Sequence, residues 1–138
     1  MLNLRELISG IETLWPLEFA EDWDYPGLIC GDPNQTITRL LLTVDITEEV
    51  LDHAVAGKQD LVLAHHPYLL RGVKTVAEST VKGRNLVKAI RSNLALYAAH
   101  TNADSVANGV SDVLAQALGL RDTLVLSNPT AEIGIGRV

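Results

Sequence analysis

The sequence predicts an α/β protein, a mostly parallel sheet flanked by helices, and three observations carry that prediction. Apolar runs of strand length at 39–45 (RLLLTVD), 60–66 (DLVLAHH) and 94–100 (LALYAAH) place aliphatic residues at consecutive positions, the pattern of strands buried on both faces. Segments with helical spacing separate the runs, so neighbouring strands are joined by crossovers and run parallel. Hydrophobic residues make up 47% of the 138 residues and aromatic ones only 4%, so the core must be built from Leu, Val, Ile and Ala. That length fits one domain, residues 1–138, long enough to bury a core.

The elements follow in order. Leu4, Leu7, Ile8, Ile11 and Leu14 recur at helical spacing until Pro16 stops the pattern, which predicts an amphipathic first helix. Residues 17–38 are less regular, with a Pro-Gly turn at 26–27 and a Gly-Asp-Pro-Asn turn at 31–34 around a short apolar stretch, Leu28 to Cys30. TEEVLDHAVAGK reads as a helix with Thr47 as N-cap, Glu48 and Glu49 in the first turn and Gly57 at its end. STVKGRNLVKAIRSN reads as a helix with Leu86, Val87 and Ile90 inward. NGVSDVLAQALGL is a further helix with Val110, Val113, Leu114, Ala117 and Leu118 on one face, and Asn108 suits its N-cap. TLVLS and EIGIGRV are strand-like. The loop from Pro67 to Thr80 is long enough to hold a short hairpin or to cover a site.

Composition narrows the function. A formal net charge of −6 and a pI near 5.1 give no field that attracts nucleic acid or anionic lipid. The N-terminus lacks the basic region and continuous apolar core of a signal peptide, and no apolar run nears the roughly 18 residues of a membrane span. Cys30 is the only cysteine, so no intramolecular disulfide forms, and a buried thiol suits a reducing cytoplasm, the expected location. There is no P-loop, complete GxGxxG or GxSxG motif.

The chemistry gathers at strand ends. In an open parallel sheet, ligands bind beyond the carboxyl ends of the strands. The first run ends at Asp45, the second at His65 and His66, the third at His100, with Asp104 a short turn further on. Imidazoles and carboxylates are the donor set of zinc, iron or manganese. Pro67 holds His66 in an extended or polyproline conformation, so both rings can lean over the sheet edge and serve two ions better than they chelate one. Asp104 then suits a bridge between the ions, and two-metal sites with ions about 3.5–4 Å apart serve hydrolysis. Taken alone, HHP also fits a polar loop and HTNAD a turn; their joint placement points to metal. Asp45 reads as a turn residue or as support for a ligand or substrate, and His53 as a solvated helix residue. Arg71, Lys74, Lys82 and Arg84 read as solvated charge that could meet an anionic substrate.

WDYPGLICGD, LLLTVDIT, DLVLAHHPYLLRGVKTV and LALYAAHTNADSVANGVSDVLAQALGL, in this order, resemble the N-terminal half of the Nif-three-like family (Ngg-one-interacting factor three), whose members are labelled GTP cyclohydrolase one type two homologues. The resemblance covers nearly the whole chain. It implies a dinuclear site of divalent ions, zinc, iron or manganese, with the family's paired histidines on His65 and His66 and its carboxylate ligand on Asp104. His100 would lie beside the metals, supporting a ligand or carrying a proton. The family's later histidine and glutamate are absent here, which implies half of a longer protein with an incomplete site. The resemblance also implies a homo-oligomer, and EIGIGRV would be an edge able to pair with another chain. Three readings stay open: a metal-dependent hydrolase of a small-molecule substrate, cyclohydrolase-like or phosphoester-type; a non-catalytic metal-binding regulatory or interaction module; and an α/β domain whose histidines are structural and bind no metal.

Overall fold

The three strand-length runs become parallel neighbours, β2 (Leu40–Thr43), β3 (Leu61–Ala64) and β4 (Ala95–Ala98), in a computed structural model that describes residues 2–124. Leu40 pairs with Leu61 and Leu61 with Ala95, so the three strands start and finish level. The crossovers are α2 (Glu48–Ala56) and α3 (Val81–Arg91). Thr47 caps α2 by accepting from the Val50 N–H, and Thr80 caps α3 by accepting from the Gly83 N–H. A fourth strand, β1 (Gly27–Cys30), lies antiparallel to β4, with a bulge between Leu28 and Cys30, and gives the order β1-β4-β3-β2. This is the apolar stretch between two turns, to which the sequence reading assigned no element.

β3 and β4 are buried at every position, as strands covered on both faces must be. One face holds Leu61, Leu63, Ala95 and Tyr97 under Leu4 and Ile11 of α1 (Leu4–Leu14). The other holds Val62, Ala64 and Leu96 under Leu51 and Ala54 of α2 and Leu86 and Ala89 of α3. Asn3 and Glu6 form a capping box at the start of α1. Behind β4 come a single turn, α4 (Thr101–Asp104), and α5 (Val110–Ala117).

Five expectations need correction. β2 is the edge strand, and Leu40 and Leu42 on its α1-side face are exposed because α1 does not reach them. Ile90 is exposed, since the inward face of α3 centres on Leu86 and Ala89 and leaves it on the flank. The helix at 108–120 is capped by Gly109; Asn108 has φ +60° and its N–H donates to Asp112, so it cannot take the extended N-cap conformation. The apolar row of α5 is amphipathic as read, but Val110, Val113, Leu114 and Leu118 are all exposed. The 67–80 loop contains turns and no hairpin. The strands expected in TLVLS and EIGIGRV lie outside the described residues, apart from Thr123 and Leu124. Among the described residues no helix is long and apolar enough to cross a membrane.

Candidate metal centre

Level strand ends bring the histidines together. The ladder continues one step past β3, with the His65 N–H donating to Thr43 O (3.1 Å) and the His66 N–H to Val44 O (2.9 Å). The Ala99 N–H donates to Ala64 O (2.9 Å), which sets His100 beside the pair. Ring centroids are 5.0 Å apart for His65 and His66, 5.1 Å for His65 and His100, and 5.6 Å for His66 and His100. One ring nitrogen from each of the three lies within 4.8 Å of the others.

Each ring is fixed from behind at Nδ1. His65 Nδ1 meets the Ala99 carbonyl at 3.0 Å, His66 Nδ1 meets Asp45 Oδ1 at 2.7 Å, and His100 Nδ1 meets Asp24 Oδ1 at 2.9 Å. A carbonyl or an ionised carboxylate only accepts, so each Nδ1 must carry the proton. In the neutral ring Nε2 then keeps its lone pair, the arrangement that prepares an imidazole for a cation. Asp104 stands in front, its Oδ1 3.9 Å from His65 Nε2, too far for a hydrogen bond.

The predicted site residues His65, His66, His100 and Asp104 are therefore neighbours. Asp45 proves to be the partner that orients His66. His53 is exposed on α2, as read. Lys82 donates to Tyr68 O and lies 5.7 Å from the centroid of the Tyr68 ring, while Arg84 donates to Glu78 O, so these two tie the 67–80 loop to α3. That loop supplies Leu69, Leu70 and Gly72 to a cavity of about 420 Å³, whose other wall is Tyr25, Leu28 and Ile29.

Sequence reasoning missed Asp24 as a site residue. Its side chain is fully buried and takes four hydrogen bonds, from Thr101 Oγ1, the Thr101 N–H, His100 Nδ1 and the Tyr25 N–H. Burial alone would push its carboxyl up, but the bonds from Thr101, His100 and the Tyr25 and Thr101 backbone outweigh it and hold the carboxyl below the ordinary Asp value. Asn102, also fully buried, accepts from the His100 N–H and donates to Trp15 O, which pins the HTNAD turn against the end of α1.

A lowered folded-state value means stability that is present above the unfolded Asp value and lost as pH falls through the folded one. Asp24→Asn should therefore cost about 1–3 kcal/mol at neutral pH, and the gap from the parent should close as pH falls below about 4. Urea unfolding across that range checks it; a gap that stays constant contradicts the assignment.

An α/β domain with histidines grouped beyond the carboxyl ends of parallel strands is the class that fold and site define. The chain belongs to the Duf34/NIF3 (NGG1p interacting factor 3) family, whose sequence profile matches residues 2–138. A relative in Streptomyces coelicolor named "GTP cyclohydrolase 1 type 2 homolog" is 46% identical over 142 residues, covering 100% of this chain and 50% of the relative. A relative of the same name in Clostridium perfringens is 39% identical, covering 99% and 53%. The chain thus spans about half the length of these curated relatives. Among solved structures, a Bacillus cereus protein related to NIF3 superposes with a TM-score of 0.83 at 38% identity, over 91% of this chain and 35% of that one. Reduced HcgD from Methanocaldococcus jannaschii superposes with a TM-score of 0.86 at 29% identity, over 93% and 51%.

Proposed function

We propose that this chain contributes the strand-end half of a divalent-metal centre, dinuclear in the family-length protein, that hydrolyses a small-molecule substrate. The observation that carries the reading is the common orientation of three imidazoles, each with Nδ1 engaged from behind. The donor set fits zinc, iron or manganese: ring nitrogens from His65 and His66 and a carboxylate oxygen from Asp104. Ions held there would polarise a substrate oxygen and lower the pKa of a water. The chain's own residues do the rest. Ala99 O and Asp45 keep His65 and His66 turned outward, and Asp104 Oδ1 stands 3.9 Å from His65 Nε2, where its carboxylate would help to hold an ion. His100, largely buried and anchored on Asp24 through Nδ1, faces the same space with its other ring nitrogen. The cyclohydrolase name of the relatives suggests ring opening of a purine nucleotide, and a phosphoester fits the same donors.

The test is turnover. Protein loaded with zinc or manganese should open the ring of GTP or cleave a nitrophenyl phosphate, followed by absorbance, and His65→Ala should abolish the rate. A loaded protein that converts neither substrate contradicts the hydrolase reading. A second reading, a non-catalytic interaction module, is favoured by the exposed apolar rows on α5 and β2. It predicts that a partner is retained when His65 and His66 are replaced.

A further inference from the structure

The cavity of about 420 Å³ beside β1 is built by two local features of the chain. Successive residues of a regular strand point to opposite faces, yet Leu28 and Ile29 both line it. The bulge between Leu28 and Cys30 allows this, because the extra residue re-aims its side chain. The facing wall, Leu69, Leu70 and Gly72, belongs to the 67–80 loop, which leaves β3 and crosses to β1, two strands away. Ile29 and Leu69 also pack on the core under α2 and α3, so both walls rest on fixed ground. Lys82, donating to Tyr68 O, and Arg91, paired with Glu78, hold the loop near its two ends.

The lining sets the chemistry of the occupant. Aliphatic side chains and the Tyr25 ring form it, and its volume falls in the usual range for small ligands, about 300–1,000 Å³. Walls of this kind suit a flat ring, which Tyr25 can stack or meet edge-on. Charge supplies the second requirement. Residues 67–84 hold four basic residues and one acidic one, in a chain of net charge −6. The acidic one, Glu78, is taken by Arg91, and Arg71 and Lys74 pair with no carboxylate among the described residues. Arg71 lies between the cavity-lining Leu70 and Gly72, and Lys74 two positions further on.

Both walls lead to the histidine cluster. Tyr25 follows Asp24, whose carboxylate meets His100 Nδ1 and accepts from the Tyr25 N–H. Leu70 comes four residues after His66, at most about 14 Å away along an extended chain. We propose that this cavity binds a planar aromatic ring carrying an anionic group, the ring held by Tyr25, Leu28, Ile29, Leu69 and Leu70 and the charge met by Arg71 and Lys74. That the ligand is a substrate rests on the hydrolase reading above; its binding requires no metal.

The experiment titrates the full chain, stripped of metal by a chelator, with naphthyl phosphate, followed by the methyl resonances of leucine and isoleucine. Naphthol supplies the ring without the charge, and inorganic phosphate the charge without the ring. The ester should saturate one site below millimolar concentration, moving the methyls of Leu28, Ile29, Leu69 and Leu70 and leaving those of the buried Leu4, Leu51 and Leu61 in place. Naphthol should bind at least about tenfold more weakly, and phosphate should leave the four cavity residues unmoved. Tyr25→Ala should weaken the ester by about 5–10-fold and Arg71→Glu by about tenfold, with Arg71→Lys close to the parent. Both positions are exposed, so the fold does not depend on them. The assignment is overturned if the ester moves other methyls or none, if naphthol binds as tightly as the ester, or if Arg71→Glu leaves the affinity unchanged. Zinc added to the same sample separates the two readings. Histidine signals that move beside a silent cavity leave the metal centre standing, and a cavity that fills in a chain taking no zinc removes the hydrolase reading and keeps the binding site.

Discussion

Replacing His65 and His66 together with alanine is expected to remove divalent-ion binding altogether, while the fold survives. Both rings extend beyond the last residue of β3 and are only partly buried, so neither belongs to the apolar clusters that hold the sheet. Their loss takes two of the three grouped imidazoles and leaves His100 with Asp104, a pair too sparse to hold zinc, iron or manganese against water. The surface bonds given up, to Ala99 O and to Asp45, are worth about 1 kcal/mol each. Calorimetric titration should show no heat of binding above the micromolar range, and urea unfolding should shift by no more than about 2 kcal/mol. A double variant that still binds zinc like the parent contradicts the placement of the site.

The largest effect on stability is expected from Leu96→Ala. Leu96 is fully buried in β4, which lies between β1 and β3, and it pairs with Val62 on one side and Cys30 on the other. Its side chain fills the layer between the sheet and the two crossover helices, beside Leu51, Ala54, Leu86 and Ala89. Truncation there leaves a cavity that strands fixed on both sides cannot collapse, at a cost of about 2–5 kcal/mol. Against a total stability of about 5–15 kcal/mol for a domain, this is a large fraction. Because β4 leads directly into His100 and α4, the variant should lose zinc affinity in step with its stability. Denaturant unfolding tests it, and a cost below about 1 kcal/mol would contradict the packing described here.

The histidine cluster was legible because two general facts converge. Apolar runs of strand length separated by helical segments imply a parallel sheet, and parallel sheets bind ligands beyond their carboxyl ends. His65, His66 and His100 each close such a run, so their neighbourhood follows from counting residues. Asp24 was not legible, because its meaning lies in a contact 76 positions away and it sits in an irregular stretch with no periodic signal. The same holds for β1: four residues between turns become a strand only through antiparallel pairing with β4. Exposure was the other blind spot. Leu42 reads as core by its neighbours, yet it lies on the edge strand where no helix covers it. Val113 and Leu114 give a correct amphipathic pattern, but periodicity says which face is apolar and nothing about what, if anything, lies against it.

The central claim is that the imidazoles beyond β3 and β4 form a metal centre, and metal content tests it most directly. Plasma mass spectrometry on freshly purified, untagged protein, beside folded His65→Ala and Asp104→Ala, supplies the number. Zinc, iron or manganese in the parent and its loss from His65→Ala is the result predicted. A parent chain that stays empty after incubation with each of the three metals, or a His65→Ala variant that retains the same content, would contradict it.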